Sequence, residues 1–383
     1  MSDAAKNIEG IFEHLVLEGS SYEIGKLQGE VYKVNARLQG KKDKFPKLNH
    51  FTSARFNKAK SGFNDFKELI EIHEEFCPGM NDEIQGFADS LGVPLEKLAI
   101  YDFPISTQTN CSQLVLLPSV TEDKHLYVAR SYDWNHEQED NRLCTTRVKG
   151  KFSHVAFSTL LFGRLEGLNS QGLCACMSGG GAWDTPVKNK KAFDFWIAIR
   201  SILENCRTVN EAVDSLLEMP VKTSTIYSFA DKSGRAALVE GNDSQYAVKE
   251  IDSESPDQYL FSTNHYMMPE MTRYNKFNNP WLLNNSKTRY RTIESTLQKT
   301  SPKITRETLK ELLSKEIPDG LCAHWQSDYF GTIWSTVFDV TDMEVDTCFG
   351  TTSHNDWRTF TMESPKNGKD YPVVFVDKPI GVL

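Results

Sequence analysis

The hydrophobic pattern of this chain predicts an α+β fold in which continuous β-sheets are covered on their outer sides by paired helices. Three observations lead there. Helical spacing dominates the first 110 residues, and strand-like segments begin after it. Those strands are interrupted twice, first by a pair of helical segments near residues 192–219 and then by a longer helical region at 286–316. No ββα repeat, internal repeat, low-complexity segment or long linker divides the chain.

In order, a short strand at Glu13–Leu17 precedes GSSYEIGKLQGEVYK, where capping residues lead into Tyr22, Ile24, Leu27 and Val31 at helical spacing. The basic stretch Asn35–Lys58 defines no apolar face and reads as surface loop or irregular helix. Helical periodicity returns over Phe66–Leu91, broken at Pro78–Gly79, and VPLEKLAIYDF reads as a capped helix leading towards Cys111. After the hairpin described below, TTRVKG, HVAFSTLL and RLEGLNSQGLCACMSGGG read as strands. SGGGAW lacks the lysine and glycine spacing of a phosphate-binding loop and reads as a flexible substrate loop. AFDFWIAIRSILENC and TVNEAVDSLLEM are helices, the second with Thr208 as N-cap and Glu211 completing a capping box. STIYSFAD, GRAALVEG, SQYAVKEI and QYLFSTNHY return to strand, and the helical region Ser286–Glu316 divides near Ser301–Pro302. A hairpin, TIWSTVFDV and VDTCFGTT, is followed by a polar tail.

With 383 residues the chain can bury a sizeable core in one large domain or two. A net charge of −9 argues against a nucleic-acid partner, which requires a basic face. No apolar run approaches the roughly 20 residues of a membrane helix, and the start of the chain lacks the basic and apolar segments of a signal peptide. A cytoplasmic protein without a membrane partner is expected. Its eight cysteines are scattered, so reduced thiols are expected rather than a disulfide framework. Cys174 and Cys176 stand two apart on a strand, where alternate residues share a face. Two small apolar side chains in a sheet explain them better than zinc, since no second pair completes a four-ligand set. Neither metal nor cofactor is called for, and nothing specifies an oligomeric state.

The chemistry concentrates in residues 110–134, NCSQLVLLPSVTEDKHLYVARSYDW. Ser112–Leu117 and His125–Tyr132 form a hairpin around VTEDK, which brings Cys111 at one end close to Arg130 and Asp133 at the other. A cation beside a thiol lowers its pKa and stabilises the thiolate nucleophile. A buried strand cysteine beside a structural Arg–Asp ion pair fits the same spacing, and both readings stand on the residues alone.

Several separated motifs resemble one family. GSSYEIGKLQG, CPGMNDEIQGFADSLGVPLEKL, NCSQ, RSYDW, EGLNSQGL, STNHY and TIWSTVFDVTDMEVDTCFG follow the order of the acyl-coenzyme A:isopenicillin N acyltransferase-like family. That family sits within the N-terminal nucleophile hydrolases, with choloylglycine hydrolases and acid ceramidase. The resemblance spans nearly the whole chain and implies a four-layer αββα sandwich in which the catalytic cysteine begins an inner strand. It implies that the thiol of Cys111 attacks the carbonyl of Asn110 and that the thioester hydrolyses. Residues 1–110 would then remain as a light chain on a catalytic segment, 111–383, the two forming one structural unit. The freed α-amino group titrates near pH 8, so one residue carries nucleophile and base. By the same resemblance Asp133 orients that amine, Arg130 matches the arginine of the hydrolase and ceramidase branches, and Asn264 is an oxyanion donor. Without the resemblance the alternative for Asn264 is a turn residue after a strand. Three positions depart from the pattern. Asn110 replaces glycine, Ser178 stands where a second asparagine is expected, and Ala323, beside His324, stands where the acyltransferase has arginine; either Arg130 replaces that charge or the protein binds a different acyl donor.

The function expected is hydrolysis or transfer of a linear amide through an acyl-thioester on Cys111, on a small N-acyl substrate with water or an amine as acceptor. Ser178, His265 and His324 are secondary candidates for substrate contact. A papain-like peptidase would pair Cys111 with His265 or His324, but no peptidase signature surrounds the cysteine. A binding protein that keeps the fold is the third reading.

Overall fold

The computed structural model describes residues 5–34, 66–95, 98, 110–181, 191–221, 224–242, 245–277 and 279–381. β1 (Lys6–Gly19) is followed by helices α1 (Ser21–Val34), α2 (Phe66–Phe76) and α3 (Met80–Leu91). Strands β2 (Asn110–Leu116), β3 (Tyr127–Trp134), β4 (Arg142–Val148), β5 (His154–Thr159), β6 (Gly163–Asn169) and β7 (Leu173–Gly179) come next. Helices α4 (Phe195–Asn205) and α5 (Val209–Glu218) precede β8 (Thr225–Asp231), β9 (Ala236–Asn242), β10 (Gln245–Ile251) and β11 (Tyr259–Ser262). Helices α6 (Pro280–Thr300) and α7 (Arg306–Ser314) lead to β12 (Gly331–Asp339), β13 (Glu344–Phe349), β14 (Trp357–Phe360) and β15 (Lys369–Asp377).

The strands make two sheets. Nine are ordered β10-β9-β8-β7-β6-β5-β4-β1-β15, and six are ordered β11-β2-β3-β12-β13-β14. β2 packs across on β7 and β8, while α4 and α5 cover the outer face of the larger sheet and α6 and α7 that of the smaller. This is the four-layer αββα sandwich. β2 and β3 are buried along their whole length on both faces, as inner strands must be. Aromatic rings join the layers: Trp334 of β12 stacks on Phe157 of β5 at 4.3 Å and on Tyr132 of β3 at 4.2 Å. A second apolar cluster, with Leu114, Leu116, Ile293, Leu297, Leu312 and Leu313, lies between the smaller sheet and its helices.

The GSSYEIGKLQG motif has a packing reason. Ser20 and Glu23 cap α1 reciprocally, and α1 then crosses α3 so closely that a Cβ on Gly25 would lie 1.7 Å from Glu83 O. Gly86 on α3 faces Tyr22 O in the same way, at 2.1 Å. Mid-helix glycine costs about 1 kcal/mol relative to alanine, which this contact between backbones offsets. The α1–α3 pair is locked to α4 by buried side chains: Glu83 receives Gln28 Nε2 at 2.6 Å and Arg200 Nη2 at 2.6 Å.

Several expectations are corrected. The first strand runs from Lys6, well before Glu13. The tail is not merely polar, because Lys369–Asp377 pairs antiparallel with β1 and completes the larger sheet. Its alternating Tyr371, Val373 and Phe375 are buried, a period-2 pattern masked by the charges before it. Thr208 caps α5, but the Glu211 carboxylate accepts from Arg207 N rather than closing the box on Thr208. α6 begins at Pro280, ahead of the expected Ser286, with Asn279 Oδ1 accepting from Trp281 N. Residues 178–181 of SGGGAW are held in place: Gly180 N donates to Ser224 O at 3.1 Å and Gly181 N to Asn264 O at 2.8 Å. The rest of that motif, the stretch Asn35–Lys58 and most of VPLEKLAIYDF lie outside the described residues. Among the described residues no helix is long and apolar enough to cross a membrane.

Candidate active site

The register of β2 on β3 sets the site. Asn110 stands opposite Asp133, Cys111 opposite Tyr132, and Gln113 opposite Arg130. Strand alternation sends Cys111 and Arg130 into the space between the sheets, and Asn110 and Asp133 towards the helices. The site therefore has two faces, with the Cys111 backbone between them.

On the inter-sheet face Arg130 Nη2 lies 3.5 Å from Cys111 Sγ and donates to Met177 O. Its Nη1 pairs with the carboxylate of Glu166, reaching across from β6. Glu166 Oε1 accepts from Trp334 Nε1 at 3.0 Å and Thr336 Oγ1 at 2.8 Å. Neither charge is exposed, and a buried pair of this kind holds only while its remaining donors and acceptors are satisfied. Ser178, also on β7, accepts from Gln113 Nε2 at 2.7 Å. It thus packs against a residue of the cysteine's own strand.

On the helix face Arg289 of α6 dominates. Its Nη1 donates to Cys111 O at 2.5 Å and Ser112 Oγ at 3.0 Å, its Nη2 to Asn264 Oδ1 at 2.8 Å, and its Nε to Asn285 Oδ1 at 2.8 Å. Asn264 Oδ1 also accepts from Cys111 N at 3.0 Å, while Asn264 Nδ2 donates to Gly179 O at 2.9 Å. A donor at one end and a carbonyl at the other fix which end of this amide is oxygen. Asn264 therefore meets Cys111 through its oxygen, and its NH₂ is turned to the glycine segment. Asp133 Oδ1 accepts from Ser131 Oγ at 2.8 Å and Thr332 Oγ1 at 2.7 Å, and Oδ2 has no hydrogen-bond partner. Burial pushes the Asp133 carboxyl up to about 6, against the pull of Arg289.

The four principal candidates, Cys111, Arg130, Asp133 and Asn264, are thus together. The histidines are engaged elsewhere. His265 Nδ1 bonds Ser286 Oγ at 2.8 Å, and Ser286 Oγ also accepts from Asn264 N at 2.9 Å, so His265 braces the turn that carries Asn264. Burial, aided by Arg289, pushes it down to about 4. His324 Nε2 lies 2.9 Å from Ser353 Oγ and 3.6 Å from Cys322 Sγ, and burial pushes it down to about 4. The position beside it, Ala323, touches the site only through its backbone: Ala323 N donates to Thr332 Oγ1, which donates to Asp133.

Sequence reasoning missed Arg289 and Glu166: a second buried guanidinium reaches Cys111 O from α6, and a buried carboxylate pairs with Arg130 from β6. Arg289 had a signal. It lies on the helical stripe Leu282, Ser286, Ile293 and Leu297, where an apolar side chain belongs. Glu166 likewise is a charge on a strand buried along its whole length. For metals, His125, Asp339 and Asp342 bring ligand atoms within 4.8 Å among the described residues, yet Asp339 is already paired with Arg306. Cys174 and Cys176 are buried in the main core.

Residues 120–354 match the family model described as acyl-coenzyme A:6-aminopenicillanic acid acyl-transferase. That span holds Arg130, Asp133, Glu166, Asn264 and Arg289, and begins after Cys111. No curated protein matches the chain. Among solved structures, a Caenorhabditis elegans N-acylethanolamine-hydrolyzing acid amidase ortholog aligns at 16% identity and TM-score 0.42, over 60% of this chain and 93% of that one. Penicillin V acylase from Agrobacterium tumefaciens aligns at 16% identity and TM-score 0.39, over 71% and 94%. A conjugated bile acid hydrolase from Clostridium perfringens aligns at 10% identity and TM-score 0.39, over 68% and 96%. Likenesses of this size leave the architecture to be argued from the two sheets themselves.

Proposed function

We propose, from the premise that the chain belongs to the acyl-coenzyme A:6-aminopenicillanic acid acyl-transferase family of N-terminal nucleophile hydrolases, that it hydrolyses or transfers the acyl group of small N-acyl amides through a thioester on Cys111. The observation that carries this reading is the double hold on Cys111, with Arg130 at its thiol and Asn264 at its backbone nitrogen.

A cut between Asn110 and Cys111 turns that nitrogen into an α-amine. Its ordinary pKa of about 7.7–8.0 leaves part of it unprotonated at neutral pH. The amine takes the thiol proton, and Asp133 Oδ2, open in the intact chain, accepts from the resulting ammonium. Arg130 stabilises the thiolate, which attacks the substrate carbonyl. Asn264 Nδ2, released from Gly179 O, and the Arg289 guanidinium are the donors nearest the charge that develops on oxygen. The ammonium returns its proton to the leaving amine, and water or a second amine then resolves the thioester. Cys111 and Asn110 are both buried in the intact chain, so the uncut form is a closed precursor. Residues 1–110 stay bound as a light chain through α1, α3 and the Glu83–Arg200 pair.

The test is N-terminal sequencing and intact mass on a preparation that turns over N-acyl amides. Two associated chains, one beginning at Cys111, are expected. A fully active preparation whose only N-terminus is that of the intact chain would sink the proposal.

A further inference from the structure

We infer that the chain carries a second nucleophile outside the Cys111 site, Ser353, activated by His324 and Glu316, and that this second site hydrolyses short-chain esters. It needs neither the Cys111 thiol nor a cut chain. His324 Nε2 lies 2.9 Å from Ser353 Oγ, and on the other side of the ring His324 Nδ1 lies 3.5 Å from Glu316 Oε1. A nucleophile within hydrogen-bond reach of a base, with the base turned by a third group, is the arrangement that activates a serine hydroxyl. Glu316 is itself held by Lys378 Nζ, 2.7 Å from its other oxygen. The Nδ1 contact is an ion-pair approach without a hydrogen bond, and such catalytic contacts tighten only when substrate is bound. Burial, against the pull of Glu316, keeps the ring neutral at pH 7, so Nε2 is free to take a proton.

Exposure separates the serine from its neighbours. Cys322 Sγ also approaches Nε2, at 3.6 Å, but it is fully buried, whereas Ser353 faces solvent. The turn that carries Ser353 is braced on two strands. Gly350, at φ +82°, bends the chain out of β13. Asn355 ties the turn to β15, its Nδ2 donating to Thr351 O and Val374 O at 2.8 Å and its Oδ1 accepting from Val374 N at 2.9 Å. Thr352 Oγ1 lies 2.7 Å from Ser335 Oγ on β12. Support of this kind holds a reacting group in place. Beside it, His354 Nδ1 lies 2.8 Å from Ser353 Oγ, and His354 lines a surface cavity of about 120 Å³. That is several times the roughly 10–15 Å³ that admits one water, so an acyl group of a few carbons fits. Phe349, Pro372 and Val373 give the cavity an apolar wall, while Asp356 and Arg358 are its charged members. Of those two, the Arg358 guanidinium is the one that can donate to a carbonyl oxygen as it gains charge.

The step balances with water as the only co-reactant. Ser353 Oγ bonds to the ester carbonyl carbon as its proton passes to His324 Nε2. The tetrahedral centre collapses, the carbon–oxygen bond to the alcohol breaks, and that oxygen takes the proton from Nε2. Water then attacks the acyl-serine, giving a proton to Nε2. The bond to Oγ breaks, Oγ recovers the proton, and a carboxylic acid leaves. Esters are the class for this site because an alkoxide leaves more readily than an amide nitrogen, and the serine stands open to solvent.

The test uses the full-length Cys111→Ala chain, which lacks the other nucleophile, with p-nitrophenyl acetate and p-nitrophenyl butyrate as substrates and a fluorophosphonate as the covalent probe. Peptide mapping should place the adduct on Ser353. Adding Ser353→Ala should remove that adduct and lower ester turnover at least tenfold, and adding His324→Gln should do the same. Glu316→Gln should lower kcat by a smaller factor with little change in KM. Folding of every variant is checked by its melting transition; if His324→Gln misfolds, the exposed Ser353→Ala and the adduct map decide. An adduct that falls elsewhere, or a Ser353→Ala variant that hydrolyses both esters as fast as its parent, overturns the inference. Failure of the Cys111 reading leaves these results untouched, since they involve neither amide turnover nor the cut.

Discussion

Arg289 donates from Nη1 to the carbonyl oxygen of Cys111, across 178 residues of chain. One guanidinium thereby binds the Cys111 carbonyl and the Asn264 amide that accepts from the Cys111 nitrogen. Arg289→Lys keeps the charge but cannot span both acceptors, because an ammonium has no planar fork. Cutting at Cys111 should slow, and the enzyme that does mature should lose turnover by at least tenfold with little change in KM. Time-resolved gel analysis and steady-state kinetics read the two effects separately.

Asn264→Ala should lower kcat by about 100- to 1000-fold, the usual effect of deleting an oxyanion donor. Kinetics must be taken on correctly cut protein, since the same side chain also holds Cys111 N in the precursor. Normal maturation followed by wild-type turnover would leave backbone amides as the donors.

Glu166→Gln removes one charge from the buried pair with Arg130. Breaking such a pair costs about 3–5 kcal/mol, because the remaining charge is left uncompensated. A large drop in denaturation midpoint is expected. The double variant Glu166→Leu with Arg130→Met should recover much of that stability while staying inactive, which separates the pair's structural part from Arg130's part at the thiol.

The pH dependence of the precursor follows from Asp133, whose carboxyl is raised from 3.8 to about 6 by burial. A raised carboxyl binds its proton more tightly in the folded state, so its contribution to stability is full below pH 3.8 and is lost as pH rises through about 6. Asp133→Asn mimics the protonated form. On the uncut chain, the variant's melting temperature should gain on wild type between pH 4 and pH 7; a gap that shrinks over that range contradicts the assignment.

Gly25→Val should separate the light chain from the rest. A side chain there meets Glu83 O and pushes α1 off α3, loosening Glu83 from Arg200. Size-exclusion chromatography after cutting should show release of residues 1–110 at lower denaturant than wild type.

Much of the architecture was legible because burial on both faces writes continuous apolar strands and burial on one face writes helical stripes. The hairpin from Asn110 to Trp134 and the closeness of Cys111, Arg130 and Asp133 were legible for the same reason: period two and a short turn fix a register. β15 was harder to read, since the charges that open it look like a polar tail.

By itself, then, the sequence determined the elements, the α+β class and the local half of the site, all of which depend on residues near one another in the chain. Only the tertiary structure decided that Glu166 pairs with Arg130, that Arg289 rather than a residue near Ala323 binds Cys111, and that Asn264 presents its oxygen to the Cys111 nitrogen. Periodicity records that a position is buried but not what it is buried against. A charge inside an apolar stripe must find its partner on another layer, and that partner is chosen by how two sheets and two helical layers stack.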